Sequence, residues 1–473
     1  MQTDYKSCAR NIRMWTDQNE GRMLEDIRRL VQVPSIASSS ILDGYLYRGE
    51  PAPFGDGPAE ALVRMREISL RDEFPVENHN GYYMTEGAGE GSCVIGVWNH
   101  LDVVPAGAGW QYPPFDCTRV NGYLIGRGVQ DNKGPAVAVH YAMKWCRDHG
   151  MLNRFRIRHM LGCDEESGMS DVRRYREHED LPDWSFVADC RFPVCCGEKG
   201  RLGVTLTTEC SGSRVMEFCA GHNDNSVPSQ ARAVIEMEGS ITEYAAEGTG
   251  GHAAFPEGTV SAVRNLCARI PKASEDRCLA FLMAASENGY GTELGIACED
   301  ELSGRLTCNL GTVSTESGNS GFTGKILKLR FDIRYPVTKK AEDILILLRK
   351  TAEKFGFFVT NVTDSAPYYM ESHNSFIRSL MNAWKTVTDR EGAPYVMGGG
   401  TYARRLERTV GFGPGQDRDF SVCGLLPGHG SCHCPDEAES VENLKNAAVI
   451  YALAFCMMND HAKELLKDTD SEK

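Results

Sequence analysis

The sequence predicts an α/β protein in which a mixed, mostly parallel sheet is flanked by helices and a second, α+β domain is inserted. Two observations support this fold class. Strands are expected at 93–104, 157–161 and 186–188, the first of them rich in β-branched residues, and they alternate with patterns of helical periodicity, which is typical of a parallel sheet. From about Leu202 the pattern changes to strands that alternate apolar and polar residues, which is typical of an antiparallel sheet.

The first domain begins with helices. Residues 14–33 have the spacing of an amphipathic helix, which ends at Pro34. The strand at 93–104 ends before Pro105, because proline cannot donate to a sheet ladder. Further helices of this domain are expected at 59–70, 136–149, 376–388 and 440–456.

The inserted domain has its own mixture of elements. Strands are expected at 204–208, 231–237, 306–314 and 325–335, and helices at 259–269 and 339–355. We therefore expect residues 1–201 and 371–473 to form the first domain and residues 202–370 to form the insertion, since 473 residues exceed one ordinary core.

The composition limits the partners and the setting. A net charge of −14 argues against nucleic acid, and the longest apolar run, 447–458, is too short to span a membrane. The polar start at 1–6 lacks the apolar core of an export signal. The 18 cysteines include no C-x-x-C pair, so we expect reduced thiols in a cytoplasmic protein. The sequence is compatible with a monomer or a homodimer.

Polar residues with metal-binding chemistry follow the apolar runs. His100 and Asp102 end the strand at 93–104, and residues two apart on a strand share a face. An imidazole is a common metal ligand, and a carboxylate often orients it. A surface histidine beside a strand-terminal aspartate would also fit this pattern, so the pair alone does not establish a metal site.

Four other segments add candidates. Asp131 lies in a Gly-rich turn before a helix, where it could also be an N-cap. The side chains of Glu165 and Glu166 point in opposite directions at a strand end, so one could bind metal while the other acts as general base; a solvated acidic turn is the alternative. Asp189 ends the next strand, and His433 is the candidate ligand within a Cys-His-Cys triplet.

Together these segments resemble the M20 metallopeptidases, in particular the PepV-like cytoplasmic dipeptidases. The resemblance covers nearly the whole chain and rests on an ordered set of motifs: His100-Leu101-Asp102, Gly126-Arg127-Gly128 with Asp131-Asn132-Lys133-Gly134-Pro135, Asp164-Glu165-Glu166-Ser167-Gly168, Asp189 with Phe192-Pro193, and His433.

The resemblance implies a metal-binding catalytic domain and an inserted lid domain. His100, Asp131, Glu166, Asp189 and His433 would hold two divalent ions, with Asp131 bridging them, Asp102 orienting His100, and Glu165 acting as general base and acid. Oxygen and imidazole ligands suit Zn²⁺, our first expectation, and also Mn²⁺ or Co²⁺.

The resemblance also implies residues that contact the substrate. Asn225, in an N-x-V-P-like turn, His252, as an oxyanion donor, and Arg334, as a carboxylate-binding group, match lid segments of the family, and Arg404 follows the matching Gly398-Gly399-Gly400-Thr401-Tyr402-Ala403 stretch. One departure is Arg191, which stands where the family has an acidic residue. A cation there could weaken metal binding or alter substrate preference.

The expected activity is metal-dependent hydrolysis of the amide bond of dipeptides, or of short peptides with a free C-terminal carboxylate. The alternatives are an M20-type N-acyl amino acid amidohydrolase, such as a desuccinylase or deacetylase, and a catalytically silent binding protein on the same fold.

Overall fold

A computed structural model describes residues 4–317 and 324–472. The chain forms two compact units. The first comprises residues 1–196, 370–395 and 401–473, and the second comprises residues 197–369 and 396–400. Each unit has its own sheet and its own packed helices.

The first unit is built on a mixed sheet whose parallel strands lie at its centre. Cys93–His100 pairs in parallel with Phe155–Gly162 on one side and Trp184–Val187 on the other. Trp184–Val187 pairs in parallel with Thr409–Phe412. Antiparallel strands complete both edges, namely Tyr83–Gly89, Val76–His79 and the start of Val194–Glu198. The predicted mixed sheet is thereby confirmed, with its parallel part confined to the centre.

Helices cover this sheet, and one of them is central to the core. Val441–Asp460 is buried over most of its length because it packs against Lys133–Asp148, Ser375–Thr388 and Tyr5–Gln18. The apolar run in this helix is therefore core. The α-helices of the unit, among the described residues, are Tyr5–Gln18, Glu20–Val31, Asp56–Arg71, Lys133–Asp148, Ser170–His178, Ser375–Thr388, Val441–Asp460 and Ala462–Glu472.

The N-terminal helical region differs in detail from the prediction. The single helix expected at 14–33 is two helices that meet at Asn19. The first of them starts earlier than expected, because the Asp4 side chain accepts a hydrogen bond from the backbone of Ser7 and caps it. The second ends at Val31, shortly before Pro34.

The second unit is an antiparallel sheet packed against helices. In spatial order its strands are Ser240–Glu247, Gln230–Met237, Val215–Ala220, Thr307–Ser317, Lys325–Tyr335, Gly200–Glu209 and Phe358–Ser365. Its α-helices are Ala262–Arg269, Arg277–Ser286 and Ala341–Lys354. Alternate residues of the strands, among them Leu202, Val204 and Leu206, join a buried cluster with the apolar helix faces. The predicted α+β character of this region is confirmed.

Within residues 4–317 and 324–472, no helix is both long enough and apolar enough to cross a bilayer.

Candidate metal centre

Two imidazoles in the first unit face opposite oxygens of one carboxylate. His100 Nε2 lies 2.9 Å from Asp131 Oδ1, and His433 Nε2 lies 3.2 Å from Asp131 Oδ2. Each imidazole also meets a second carboxylate, since His100 Nε2 is 3.5 Å from Asp189 Oδ2 and His433 Nε2 is 3.1 Å from Glu166 Oε1. The cluster thus divides into two sets of donors that share Asp131.

The fold explains why residues so distant in sequence meet here. His100 ends the central strand Cys93–His100, whereas Glu165, Glu166 and Asp189 follow its two parallel neighbours. The carboxyl ends of parallel strands lie at one edge of a sheet, where ligands of α/β proteins collect. Asp131 reaches the same edge from the turn before the helix Lys133–Asp148.

His433 completes the cluster from a loop near the C-terminal helix. Its backbone has a φ of 62°, a left-handed conformation that non-glycine residues adopt rarely. Such conformations cost free energy and persist only where the surrounding structure holds them. The loop that carries His433 is thus held in an unusual shape at the point where the imidazole meets Asp131.

The charges of the cluster fit a cation. Burial, together with the charge of Asp131, raises the pKa of Glu166 to about 7, although the hydrogen bond to His433 opposes the change. Burial, together with Asp189, Glu166 and Asp131, raises the pKa of Glu165 well above its usual value. Burial lowers the pKa of His433, but Asp131 and Glu166 outweigh it and raise that pKa to about 11. Protons therefore balance the carboxylates here, and divalent cations can replace protons in such a site.

The donor atoms are close enough to share ions. Ligand atoms of His100, Asp131 and Glu166 lie within 4.8 Å of one another, and so do those of His100, Glu165 and Asp189. The set consists of carboxylate oxygens and imidazole nitrogens, which suits Zn²⁺, Mn²⁺ or Co²⁺.

Thiols near the cluster are poorly suited to join it. Burial and the nearby Asp131 raise the pKa of Cys432 well above its usual value, and burial raises the pKa of Cys434 as well. Only the thiolate binds metal. The position of His433 decides among the residues of the Cys-His-Cys triplet, because its Nε2 lies 3.2 Å from Asp131 Oδ2 and 3.1 Å from Glu166 Oε1.

Asp102 contacts His100 mainly through its backbone. The Nδ1 atom of His100 is 3.0 Å from the carbonyl oxygen of Asp102 and 3.4 Å from the carboxylate atom Oδ1. The two carboxylate oxygens accept hydrogen bonds from the backbone N–H groups of Glu165 and Glu166, at 3.3 and 3.1 Å. Asp102 therefore ties the His100 strand end to the Glu165–Glu166 turn, a connection that the spacing of His100 and Asp102 did not indicate.

A buried glutamate that sequence reasoning missed supports Asp131. Glu437 Oε1 accepts hydrogen bonds from the backbone N–H groups of Gly128, Gln130 and Asp131, at 2.9–3.1 Å. Its other oxygen pairs with Arg127 at 2.6 Å. Glu437 lies four residues after His433, so the two loops that carry His433 and Asp131 are tied together. Only the position of Glu437 within the His433 segment hinted at this.

A second support lies behind the Glu165–Glu166 turn. The Asp171 carboxylate accepts hydrogen bonds from the backbone N–H groups of Cys163 and Asp164, at 2.8 and 2.9 Å, and contacts the Tyr402 hydroxyl. Gly162 allows this close packing, because a Cβ atom there would lie 2.1 Å from the Tyr402 oxygen. Tyr402 thereby connects the segment that precedes Arg404 to the turn.

The four predicted substrate-contacting residues lie in different places. Arg404 belongs to the first unit, on the short helical turn Tyr402–Arg405, and is partly buried. Asn225 and His252 come together in the second unit, where Ser226–Val227 pairs with Gly251–His252 and the Asn225 carbonyl accepts a hydrogen bond from Ala253. His252 is exposed, and its Nδ1 accepts a hydrogen bond from the backbone of Ala254 at 3.1 Å.

Arg334, also in the second unit, is only 5% exposed. Its Nε and Nη2 atoms donate to the Asp332 carboxylate at 2.5 and 3.0 Å, and Nη1 donates to the Gly398 carbonyl at 2.8 Å. Asp332 also pairs with Arg201. The guanidinium is thus held in one orientation by groups of its own unit.

Arg191, the departure noted in the sequence, extends into solvent. Its side chain is 66% exposed and pairs with Asp417 at 3.1 Å. The positive charge of Arg191 is therefore partnered outside the cluster of His100, Asp131 and Asp189.

Comparisons with known proteins find one matching family model and several named relatives. Residues 96–456 match the model of peptidase family M20/M25/M40. The Bacillus subtilis protein named "Putative dipeptidase YtjP" is 29% identical over 471 residues, which cover 92% of this chain and 96% of the relative. A Staphylococcus epidermidis protein named "Putative dipeptidase" is 29% identical over 441 residues, with coverages of 85% and 92%.

Solved structures show the same fold. Human carnosine dipeptidase 1 superposes with a TM-score of 0.59 at 13% identity, covering 96% of this chain and 99% of that one. The di-peptidase Dug1p from Saccharomyces cerevisiae superposes with a TM-score of 0.56 at 13% identity, with coverages of 96% and 98%. At such identities the likeness supports the fold alone, and the predicted fold class is confirmed.

Proposed function

The chain belongs to peptidase family M20/M25/M40, and on that basis we propose that it is a metal-dependent dipeptidase that hydrolyses the amide bond of short peptides with a free C-terminal carboxylate. The observation that carries the proposal is the division of the Asp131 oxygens between His100 and His433, each of which meets a second carboxylate. Relatives along nearly the whole chain carry dipeptidase names.

The cluster is proposed to hold two divalent cations. His100, Asp131 and Asp189 would hold one, and Asp131, Glu166 and His433 the other. Zn²⁺ is the proposed ion, because neutral imidazole and carboxylate are common zinc ligands in catalytic sites. When bound, the cations polarise the amide carbonyl and lower the pKa of the attacking water.

Glu165 is proposed as general base and acid. Its backbone N–H is fixed by Asp102, and its side chain is near His100 and Asp189. The carboxylate takes a proton from the attacking water as the new C–O bond forms. It then gives the proton to the amide nitrogen as the C–N bond breaks, so the amine leaves neutral.

The substrate contacts are proposed from the family resemblance. His252 would stabilise the oxyanion, as a donor does in comparable sites. Arg334 would bind the terminal carboxylate through the N–H groups that Asp332 and Gly398 leave available. Asn225 and Arg404 would line the remaining surface of the substrate.

A cytoplasmic setting is proposed as well. All 18 cysteines are thiols rather than disulfides, which is the usual state in a reducing compartment.

A substrate panel tests the proposed function. Metal-stripped protein, reconstituted with Zn²⁺, Mn²⁺ or Co²⁺, would be assayed on Ala- and β-Ala-containing dipeptides and on N-acetyl and N-succinyl amino acids. We expect the dipeptides to be cleaved faster. Preference for the N-acyl amino acids would indicate an amidohydrolase instead, and metal binding without cleavage of either class would indicate a silent binding protein.

A further inference from the structure

A relay of hydrogen-bonded, buried polar side chains runs through the first unit to the metal cluster. In order it consists of Asp72, His140, Glu86, His159, Asn99 and Asn132, each of which is 3% exposed or less. Buried charges destabilise a fold unless partners compensate them. The proposed mechanism uses none of these six residues, so their presence in the core needs an explanation.

At the inner end of this relay, Asn132 orients a proposed metal ligand, Asp189. Asn132 Nδ2 donates to Asp189 Oδ1 and to the Ala188 carbonyl, both at 2.9 Å. The other oxygen of Asp189 faces His100 at 3.5 Å. Asn132 therefore fixes which oxygen of Asp189 is turned toward the cluster.

Asn132 is in turn oriented by Asn99. The Asn99 amide nitrogen donates to Asn132 Oδ1 and, at 3.2 Å, to the Ala188 carbonyl. Since both of these partners are acceptors, the oxygen of the Asn99 amide must point the other way. It faces His159 Nε2 at 3.0 Å.

His159 sets the direction of this relay. Its Nε2 must carry a proton to donate to Asn99, and its Nδ1 faces the carboxylate of Glu86 at 2.8 Å. Both ring nitrogens of His159 thus face acceptors. If His159 lost its donor, the Asn99 amide would have no partner for its oxygen, and its orientation toward Asn132 would no longer be enforced.

The outer end is anchored by alternating charges. Glu86 accepts hydrogen bonds from Ser69 at 2.6 Å and from His140 Nδ1 at 3.0 Å, and His140 Nε2 meets Asp72 at 3.2 Å. Burial lowers the pKa of His140, but Glu86 and Asp72 outweigh it and raise that pKa to about 9. At the outermost position, Arg22 and Arg71 each form an ion pair with Asp72 at 2.6 Å.

We propose that His159, held by Glu86, is a positioning residue for the metal centre and acts through Asn99 and Asn132 on Asp189. This inference rests on the proposed function only in its assumption that Asp189 binds a cation. It assigns a role to residues that touch neither the substrate nor the metal.

The test compares His159→Leu, which removes the donor, with His159→Gln, whose amide nitrogen can reach the position of Nε2. Zn²⁺ is titrated calorimetrically into each metal-stripped protein. We expect His159→Leu to weaken one of the two Zn²⁺ sites by roughly ten- to a hundredfold, as for other losses of outer-shell contacts. His159→Gln should keep both affinities close to those of the wild type. When both variants are assayed on a dipeptide at saturating Zn²⁺, their KM should equal that of the wild type.

Ser379→Ala is the matched control, since it removes a buried hydrogen bond, to the Ser375 carbonyl, from a helix of the same unit outside the relay. Wild-type affinity at both sites in His159→Leu would overturn the inference. It would also be overturned if Ser379→Ala weakened Zn²⁺ binding at the two sites as much as His159→Leu does. If His159→Leu does not fold, ¹⁵N NMR of the wild type decides, because an unprotonated Nε2 in His159 at neutral pH would also overturn it.

The outcomes separate this inference from the proposed function. A wild type that binds two Zn²⁺ ions but cleaves no dipeptide would refute the dipeptidase proposal, and the affinities would still test the relay. A wild type that binds no divalent cation would refute both.

Discussion

Glu437 Oε1 lies 3.1 Å from the backbone nitrogen of Asp131, a residue 306 positions earlier in the chain. The same carboxylate group pairs with Arg127, and Glu437 follows His433 by four residues in the sequence. One buried carboxylate therefore holds the turn of Asp131 to the loop of His433.

Replacing Glu437 with Gln should destabilise the fold and impair metal binding. The amide could still accept from the backbone, but Arg127 would be left as a buried charge without its partner, which costs about 3–5 kcal/mol. Urea unfolding measures this loss, and Zn²⁺ titration measures the accompanying loss of affinity. Glu243→Gln is the control, since it breaks an exposed pair with Arg232 and should change stability by less than about 1 kcal/mol. Equal stabilities of the two variants would contradict the role of Glu437.

The residues that the sequence revealed are those whose chemistry shows in a local pattern. His100 ends the central strand, and Glu165, Glu166 and Asp189 follow its two parallel neighbours; parallel strands bring such ends to one edge. The strand predicted at 325–335 has the bounds Lys325–Tyr335 in the structure.

The supporting residues could not be found in this way. Glu86, Asn99, Asp171 and Glu437 act through hydrogen bonds to distant segments, and no short pattern encodes such pairs. His159 lies within the strand Phe155–Gly162, where its neighbours in sequence say nothing about Glu86 or Asn99. These contacts depend on how separate elements pack, which becomes visible only in three dimensions.

Replacing Glu165 with Gln should abolish most turnover while metal remains bound. The amide keeps the size of the side chain but cannot accept a proton from water, so kcat should fall by at least about 10²–10⁴-fold, the usual contribution of general base catalysis. Zinc content, measured by atomic absorption, should stay at the wild-type level. Glu177→Gln, at an exposed position on the helix Ser170–His178, is the control. Full activity in Glu165→Gln would remove its assignment as the base.

Zinc affinity should rise with pH, and binding should release protons. Asp131 and Glu166 raise the pKa of His433 to about 11, and burial raises that of Glu166 to about 7. At pH 6 both groups of the metal-free protein are therefore protonated, and these protons must leave before the atoms can bind a cation. As the pH rises through 7, Glu166 loses its proton and the competition weakens. Calorimetry in two buffers of different ionisation enthalpy measures the release, and affinity independent of pH between 6 and 8 would contradict the proposed ligands.

Replacing Arg334 with Lys should raise KM for dipeptides. Lysine keeps the charge but loses the planar fork that binds a carboxylate through two N–H groups. We expect an increase of KM by about tenfold, equivalent to about 1.4 kcal/mol. Arg201→Gln is the matched control, because Arg201 pairs with the same Asp332. If both variants change KM alike, the effect comes from Asp332, and Arg334 has no separate role in binding the substrate.

Replacing Gly162 with Ala should destabilise the turn of Glu165, and removing one hydroxyl should partly repair it. A Cβ at position 162 would lie 2.1 Å from the Tyr402 oxygen and 2.3 Å from Asp171 Oδ2, far inside contact distance. Overpacking of this kind costs about 1–3 kcal/mol. Tyr402→Phe removes the nearer atom, so the double variant should be more stable than the sum of the two single changes predicts. Thermal unfolding of all four proteins measures the coupling. Strictly additive effects would mean that the Tyr402 hydroxyl does not pack against position 162. The proposed packing of the segment before Arg404 against the turn of Glu165 would then be wrong.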